Sequence, residues 1–272
     1  MKAWCFERGS DRKLESEDAL IRNEKYAVYG VLDGSTPLVP YLDEFGHNGA
    51  YLAAHVLKEY FEADYDISLS LKDNVEHANS RLRDVMLRKE VHLDNPAELW
   101  STCIAVVAIE QNQLHFAQLG DSMILVRKRN GDINVLTENT ITGLDQRAKA
   151  KRTRDRQNNV TVEAESHFSS LKERLFYNRT LANDPIGYSV ANGMPAVNDR
   201  IQSGTIPLDD IGQVLVISDG LFHPDYSLEE TFRLILNQGF DEYANLVLDS
   251  YRVKSRSEDD MAGIRLELKA NV

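Results

Sequence analysis

The sequence predicts an α+β fold, a helix–sheet–sheet–helix (αββα) sandwich with two mainly antiparallel sheets flanked by helices. Three observations carry this expectation. Strand-like runs number about ten against four to six helical ones. The helices are not interleaved one per strand, as a doubly wound parallel sheet requires, and hairpin-length connections dominate. The chain of 272 residues is 42% hydrophobic, enough for an extended core, and no Pro/Gly/Ser-rich linker or internal repeat divides it. Residues 1–272 therefore read as one domain.

Taken in order, strand-like runs open the chain at Ala3–Glu7 and Tyr26–Leu32, the latter apolar on both faces and so fully buried. Ala50, Tyr51 and Ala54 begin a helical pattern that His55–Phe61 extends. Leu71, Val75, Ala78, Leu82 and Val85 then form one apolar stripe at three- and four-residue steps. A β-meander follows: Ser101–Glu110, Gln113–Leu119, Met123–Arg129 and Asp132–Thr137. Its last turn holds Asn130-Gly131, two residues that tolerate positive φ. Residues 138–180 are polar, and 147–156 carry six basic residues against one acidic. A solvated helix face is the plain reading of that island, and a flap over an anionic substrate is the alternative. Strands are expected again at Arg200–Ile206 and Gln213–Ile217. Ser227 and Glu230 form a capping box that opens a helix burying Phe232, Ile235 and Leu236. A helix over Asp241–Tyr251 and an alternating strand over Met261–Leu268 close the chain.

Composition narrows the function. With 43 acidic residues against 31 Lys and Arg, the net charge is −12. That balance argues against a general nucleic-acid or anionic-membrane binder and suits a cation site. No run approaches the ~18–20 apolar residues of a membrane span, and the opening lacks a secretory h-region. Two cysteines, Cys5 and Cys103, exclude a disulfide framework and read as packing residues in a reducing, cytoplasmic setting.

The chemistry lies in acids at strand ends. Tyr26–Leu32 runs into Asp33-Gly34, and Gln213–Ser218 runs into Asp219-Gly220. Asp121 sits at a turn of the meander, Glu17-Asp18 precedes an apolar run, and Glu258-Asp259-Asp260 precedes the last strand. A lone Asp-Gly is usually just a turn. Five acidic sites at strand ends, if they converge, would crowd ionised carboxylates at a cost that a cation removes. Hard oxygen donors without a Cys/His cluster favour Mg²⁺ or Mn²⁺ over zinc. Phosphate-loop, dinucleotide, zinc-protease and serine-hydrolase motifs are all missing.

In this order the motifs Glu17-Asp18-Ala19, Val31-Leu-Asp33-Gly34, Ser101-Thr102, Leu119-Gly-Asp121-Ser122, Leu136-Thr137, Ile217-Ser-Asp219-Gly-Leu221 and Asp259-Asp260 resemble the metal-dependent protein phosphatases of the PPM (type 2C) family, over roughly residues 8–268. The resemblance implies two antiparallel sheets between helices and a binuclear Mg²⁺ or Mn²⁺ centre at one edge. It makes Asp33 the bridging ligand, joined by the Gly34 carbonyl. Asp219 and Asp259 would hold one ion and Glu17 the other, with Asp18 behind them and Asp121 serving a third, weaker ion. It implies that a metal-activated water attacks phosphorus in line, without a phospho-enzyme. Arg12 or Lys13 would bind phosphate and His47 would act as acid, so the catalytic set is Asp33, Asp219, Arg12, Lys13 and His47. The chain departs from the family where Ser35-Thr36-Pro37 follows Asp-Gly, which makes residues 35–46 an insertion. It also has His223 and Asp225 near an expected acid, and Asp260 in place of an Asn. The function implied is a phosphoserine/phosphothreonine protein phosphatase in signalling, acting on phosphorylated proteins. The alternatives are a non-catalytic PPM-like sensing module and a phosphatase for a small phosphorylated metabolite.

Overall fold

The computed structural model describes residues 1–11, 13, 15–255 and 257–269. Among the described residues, ten strands form two five-stranded antiparallel sheets. One, ordered β1-β10-β9-β6-β7, contains β1 (Lys2–Arg8), β6 (Met123–Lys128), β7 (Ile133–Val135), β9 (Ile211–Ile217) and β10 (Met261–Glu267). The other, ordered β2-β3-β4-β5-β8, contains β2 (Asp18–Asn23), β3 (Val28–Gly34), β4 (Thr102–Glu110), β5 (Gln113–Leu119) and β8 (Gln202–Pro207).

Helices α1 (Gly49–Glu59) and α2 (Leu71–Arg88) cover the second sheet, where Ala54, Leu57, Val75 and Leu82 pack on Ile21, Leu32, Ile104 and Val106. Helices α5 (Leu228–Gln238) and α6 (Phe240–Val253) cover the first, with Phe232, Ile235, Tyr243 and Val247 on Leu125, Leu215 and Ile217. The expected four layers are thus present. Asn48 caps α1 by accepting from the N–H groups of Ala50 and Tyr51, and Ser227 with Glu230 forms the capping box of α5. Among the described residues no helix is long and apolar enough to cross a membrane.

The connections differ from the sequence reading at three places. The meander is not one sheet: β5 pairs with β4 and β8, while β6 pairs with β7 and β9, so the chain changes sheets at Gly120-Asp121. Gly120, at φ 95°, permits the change of direction. The positive-φ pair characteristic of a two-residue hairpin is Gln111-Asn112, between β4 and β5. In the β6–β7 hairpin only Gly131 has positive φ. Tyr26 and Ala27 belong to a turn, Ala27 at φ 51°, so β3 starts at Val28.

The basic island forms α3 (Leu144–Gln157), and α4 (Leu171–Arg179) follows it. Neither expectation describes Arg152. It is 2% exposed, pairs with Glu165 at 2.7 Å, and lies 4.2 Å from the Phe168 ring centre and 4.8 Å from that of Tyr177. Arg147 donates to the carbonyls of Thr140, Thr142, Ile186 and Gly187. These arginines hold the segment together, leaving Lys149 and Arg154 as the exposed charges of residues 147–156.

Between the sheets, alternation decides what faces inward. Leu20, Tyr29, Val31, Ala105, Val107, Val214, Val216, Ala262 and Ile264 form the inter-sheet layer. Stepping by two toward one end of the sandwich gives Asp18, Asp33, Cys103, Ser218 and Asp260. The dry layer therefore ends in carboxylates contributed by both sheets.

Candidate metal centre

Asp18 and Asp33 are register partners across β2 and β3, and Asp33 is partnered with Cys103 of β4. From the other sheet, Ser218 and Asp219 follow β9, and Asp259 and Asp260 precede β10. Asp121 enters from the crossing between the sheets. Asp33, Asp121 and Asp219 converge, offering carboxylate oxygens that all lie within 4.8 Å of one another. Asp121 is 7% exposed, and Asp33 and Asp219 are partly buried.

The two Asp-Gly pairs are more than turns. Neither Gly34 nor Gly220 has positive φ; each is small because a backbone passes close. A Cβ on Gly34 would lie 2.6 Å from the Ala50 carbonyl oxygen and 2.7 Å from that of Glu17. One on Gly220 would lie 1.8 Å from the Asp260 carbonyl oxygen. These close approaches draw α1, β2 and β10 onto the acids.

Burial and mutual repulsion make the cluster costly when ionised. Burial lifts Asp33 well above the usual carboxylate range, and Asp18, Asp219, Asp121 and Asp259 lift it further. Asp219 is pushed up to about 7 by burial, then by Asp121 and Asp259, while its hydrogen bond with Asp33 and the charge of Lys13 act in the opposite direction. Burial also raises Asp121, against a hydrogen bond from the Cys103 thiol. Asp18 is raised by burial although the Ser218 hydroxyl donates to it at 2.7 Å.

Glu17 and Asp260 are held differently. Lys13 Nζ lies 2.7 Å from Glu17 Oε2, 2.8 Å from Asp260 Oδ2 and 3.7 Å from Asp259 Oδ1. Asp260 also accepts from the backbone N–H groups of Ser10 and Glu17, both at 2.8 Å. The other oxygen of Glu17 accepts from Asn48 Nδ2 at 2.5 Å. Asp259 is exposed. Among the sequence candidates, the structure thus joins Asp33, Asp121 and Asp219, with Asp18 beside Asp33. It ties Glu17 to Lys13 and leaves Asp259 at the rim. Arg12 lies outside the described residues.

Residues 35–47 lead from β3 to Asn48 at the start of α1. Ser35 N donates to the Ser101 carbonyl, and the carboxylate of Asp43 accepts from the N–H groups of Phe45 and His47. His47 stacks on Tyr51 with ring centres 4.1 Å apart; its Nε2 lies 3.1 Å from Glu15 and its Nδ1 3.2 Å from Asp43. Together with Lys13, Glu17 and Phe45 it lines an open cavity of about 330 Å³. Nearby, Arg179 donates to Ser101 Oγ at 2.6 Å and to the Thr36 carbonyl at 3.0 Å. His223 stacks on Tyr226, and Asp225 pairs with Lys254.

Sequence reasoning passed over Asn48, Ser218 and Arg179, and took Cys103 for plain packing. Alternation along β4 and β9 was the available signal for Cys103 and Ser218. Nothing local marked Arg179, which reaches the site from α4.

Asp33, Asp121 and Asp219 fit a hard divalent cation: three convergent carboxylates with no Lys, Arg or His ion pair to any of them among the described residues. Comparison with known proteins gives the arrangement a context. No curated protein matches the sequence. Among solved structures, the Mycobacterium tuberculosis serine/threonine phosphatase PstP/Ppp superposes with a TM-score of 0.62 at 14% identity, covering 98% of each chain. A bacterial serine phosphatase gives 0.60 at 16%, covering 100% of this chain and 99% of the other. Stp1 from Staphylococcus aureus gives 0.59 at 17%, over 98% and 95%. The PstP catalytic domain in complex with two manganese ions is also similar, at TM-score 0.61 and 14% identity. At such identities these likenesses speak for the fold. The profile of Protein phosphatase 2C extends further, into the sequence itself, and because it matches residues 10–250 the chain belongs to that family of phosphoric monoester hydrolases.

Proposed function

We propose that this chain is a divalent-cation-dependent phosphoserine/phosphothreonine protein phosphatase of the cytoplasm, acting on phosphorylated proteins. The observation that carries the reading is the convergence of Asp33, Asp121 and Asp219 at the inter-sheet edge of a Protein phosphatase 2C chain. Those three carboxylates would hold Mg²⁺ or Mn²⁺, with the Gly34 carbonyl and Asp259 as further oxygen donors at the rim. When bound, the cation supplies positive charge to the phosphoryl group and lowers the pKa of the attacking water.

The remaining work falls to the chain itself. Asp18, fixed by Ser218, would add negative charge behind Asp33 once a bound cation offsets the cost that burial sets on its ionisation, and so strengthen the hold on that cation. Lys13 keeps Glu17 and Asp260 neutralised beside the site. His47, oriented by Asp43 and Glu15, faces the cavity where a leaving serine or threonine oxygen would need a proton. The Cys103 thiol is a poor phosphoryl acceptor, being buried, pushed well up by that burial and hydrogen-bonded to Asp121. In this reading a cation-activated water would be the nucleophile, without a phospho-enzyme.

The test is turnover of para-nitrophenyl phosphate and of a phosphothreonine peptide, with EDTA and with Mn²⁺. Activity with Mn²⁺ alone is expected, and Asp219→Asn should reduce kcat by at least ~10²-fold, the scale of several kcal/mol of lost transition-state stabilisation. No turnover with any divalent ion would mean that the chain is a binding module. Turnover of phosphometabolites but of no phosphoprotein would transfer the chemistry to small substrates.

A further inference from the structure

The acids at the sandwich edge fall into two groups of different electrostatic character. Asp33, Asp121 and Asp219 face one another within 4.8 Å without an ion pair among the described residues. Glu17, Asp259 and Asp260 instead surround one ammonium, Lys13 Nζ, at 2.7, 3.7 and 2.8 Å. Lys13 is well placed to stay there. Its pKa is raised: burial pulls it down, but hydrogen bonds to Asp260 and Glu17 more than offset that. The Asp260 side chain is 1% exposed, so withdrawal of the ammonium would leave a buried carboxylate without a counter-charge. Asp260 is anchored independently by the N–H groups of Ser10 and Glu17, which fixes where the ammonium must sit.

Glu17 is committed in the same way. One oxygen receives Lys13 at 2.7 Å and the Thr36 hydroxyl at 3.4 Å, and the other receives Asn48 Nδ2 at 2.5 Å. A carboxylate so occupied offers a divalent ion few lone pairs. An ion at Glu17 would also stand within a few ångströms of a fixed positive charge.

Building on the phosphatase reading above, we propose that Lys13 is a built-in cation that takes the place of one metal ion, so that the chain binds a single divalent ion, at Asp33, Asp121 and Asp219. The family resemblance gives Glu17 a metal ion, whereas here Glu17 and Asp260 have an ammonium. Lys13 is accordingly a fixed counter-charge of the site rather than a mobile phosphate-binding arm.

The experiment is a Mn²⁺ titration of the EDTA-stripped full chain, reading free Mn²⁺ by electron paramagnetic resonance and stoichiometry by calorimetry. Wild type should bind one ion, with any further ion weaker by about tenfold or more. Lys13→Met alone leaves Asp260 uncompensated and risks misfolding. The double variant Lys13→Met/Asp260→Asn instead removes opposite charges together and preserves shape. It should melt cooperatively and bind two ions with Kd values within about tenfold of each other. Two comparably tight ions on wild type would overturn the inference while leaving the phosphatase reading intact. A folded double variant that still binds one ion would overturn it too. No bound ion on wild type would instead remove the metal centre itself, and with it the phosphatase reading on which the inference rests.

Discussion

Asp219→Asn in metal-free protein isolates the electrostatic cost of the acid cluster from catalysis. Asp219 has its carboxyl pushed from 3.8 up to about 7, first by burial and then by Asp121 and Asp259. The folded state therefore binds this proton more tightly than the unfolded chain does. The resulting contribution to stability is complete below pH ~4, falls as pH rises, and is gone above pH ~7. A displacement of about three units at ~1.4 kcal/mol each makes the loss about 4 kcal/mol. The amide keeps the shape but cannot ionise, so the variant escapes that loss. In EDTA it should melt close to wild type near pH 4 and above it at pH 8, by on the order of 8–16 °C at ~2–4 °C per kcal/mol. The assay is a series of melts of both proteins between pH 4 and 8, in which groups outside the cluster cancel in the difference. Mn²⁺ at a hundred times its Kd should then restore about 2.7 kcal/mol to wild type and much less to the variant. Parallel melting curves across the whole range would refute the reasoning, because neither burial nor the neighbouring carboxylates would then be raising Asp219 in the folded state.

Two further outcomes follow from the packing. Arg152→Ala should cost about 2–3 kcal/mol by deleting a buried guanidinium, its ion pair with the half-exposed Glu165 and two ring contacts, opening residues 144–179 to protease, whereas exposed Arg154→Ala should stay within ~0.5 kcal/mol; equal protease sensitivity of the two variants would refute the structural role of Arg152. Gly220→Ala places a methyl group against the Asp260 carbonyl, which is backbone and cannot turn aside. It should cost about 3 kcal/mol or more in denaturant melts and weaken Mn²⁺ binding, and a wild-type unfolding midpoint would show that the approach is slack.

Much of this arrangement was readable because alternation along a strand survives in one dimension. Tyr29, Val31 and Asp33, or Val214, Val216 and Ser218, announce both a buried face and what that face ends in. Hidden from the sequence was which sheet each strand joins. Gln113–Leu119 and Met123–Lys128 look like hairpin partners, but Gly120 sends them to opposite sheets and so delivers Asp121 to the site. The Lys13 cluster was hidden for a related reason. Lys13 and Asp260 are 247 positions apart and meet through the pairing of β1 with β10. Arg152 was misread because a highly charged helix looks solvated until Phe168 and Tyr177 arrive from outside it.

The place of β1 in its sheet has a consequence for synthesis. β1 is an edge strand whose single sheet neighbour is β10, the last strand in the chain order. During synthesis β1 thus waits for residues 261–267, a delay on the order of tens of seconds at ~5–20 residues per second. Ser10 is tied to Asp260 and Asp18 to Ser218, so the acids cannot assemble around a nascent chain that lacks its far end. A nascent chain that has not reached residue 260 therefore lacks both the ties that hold the acids and any metal centre they would form.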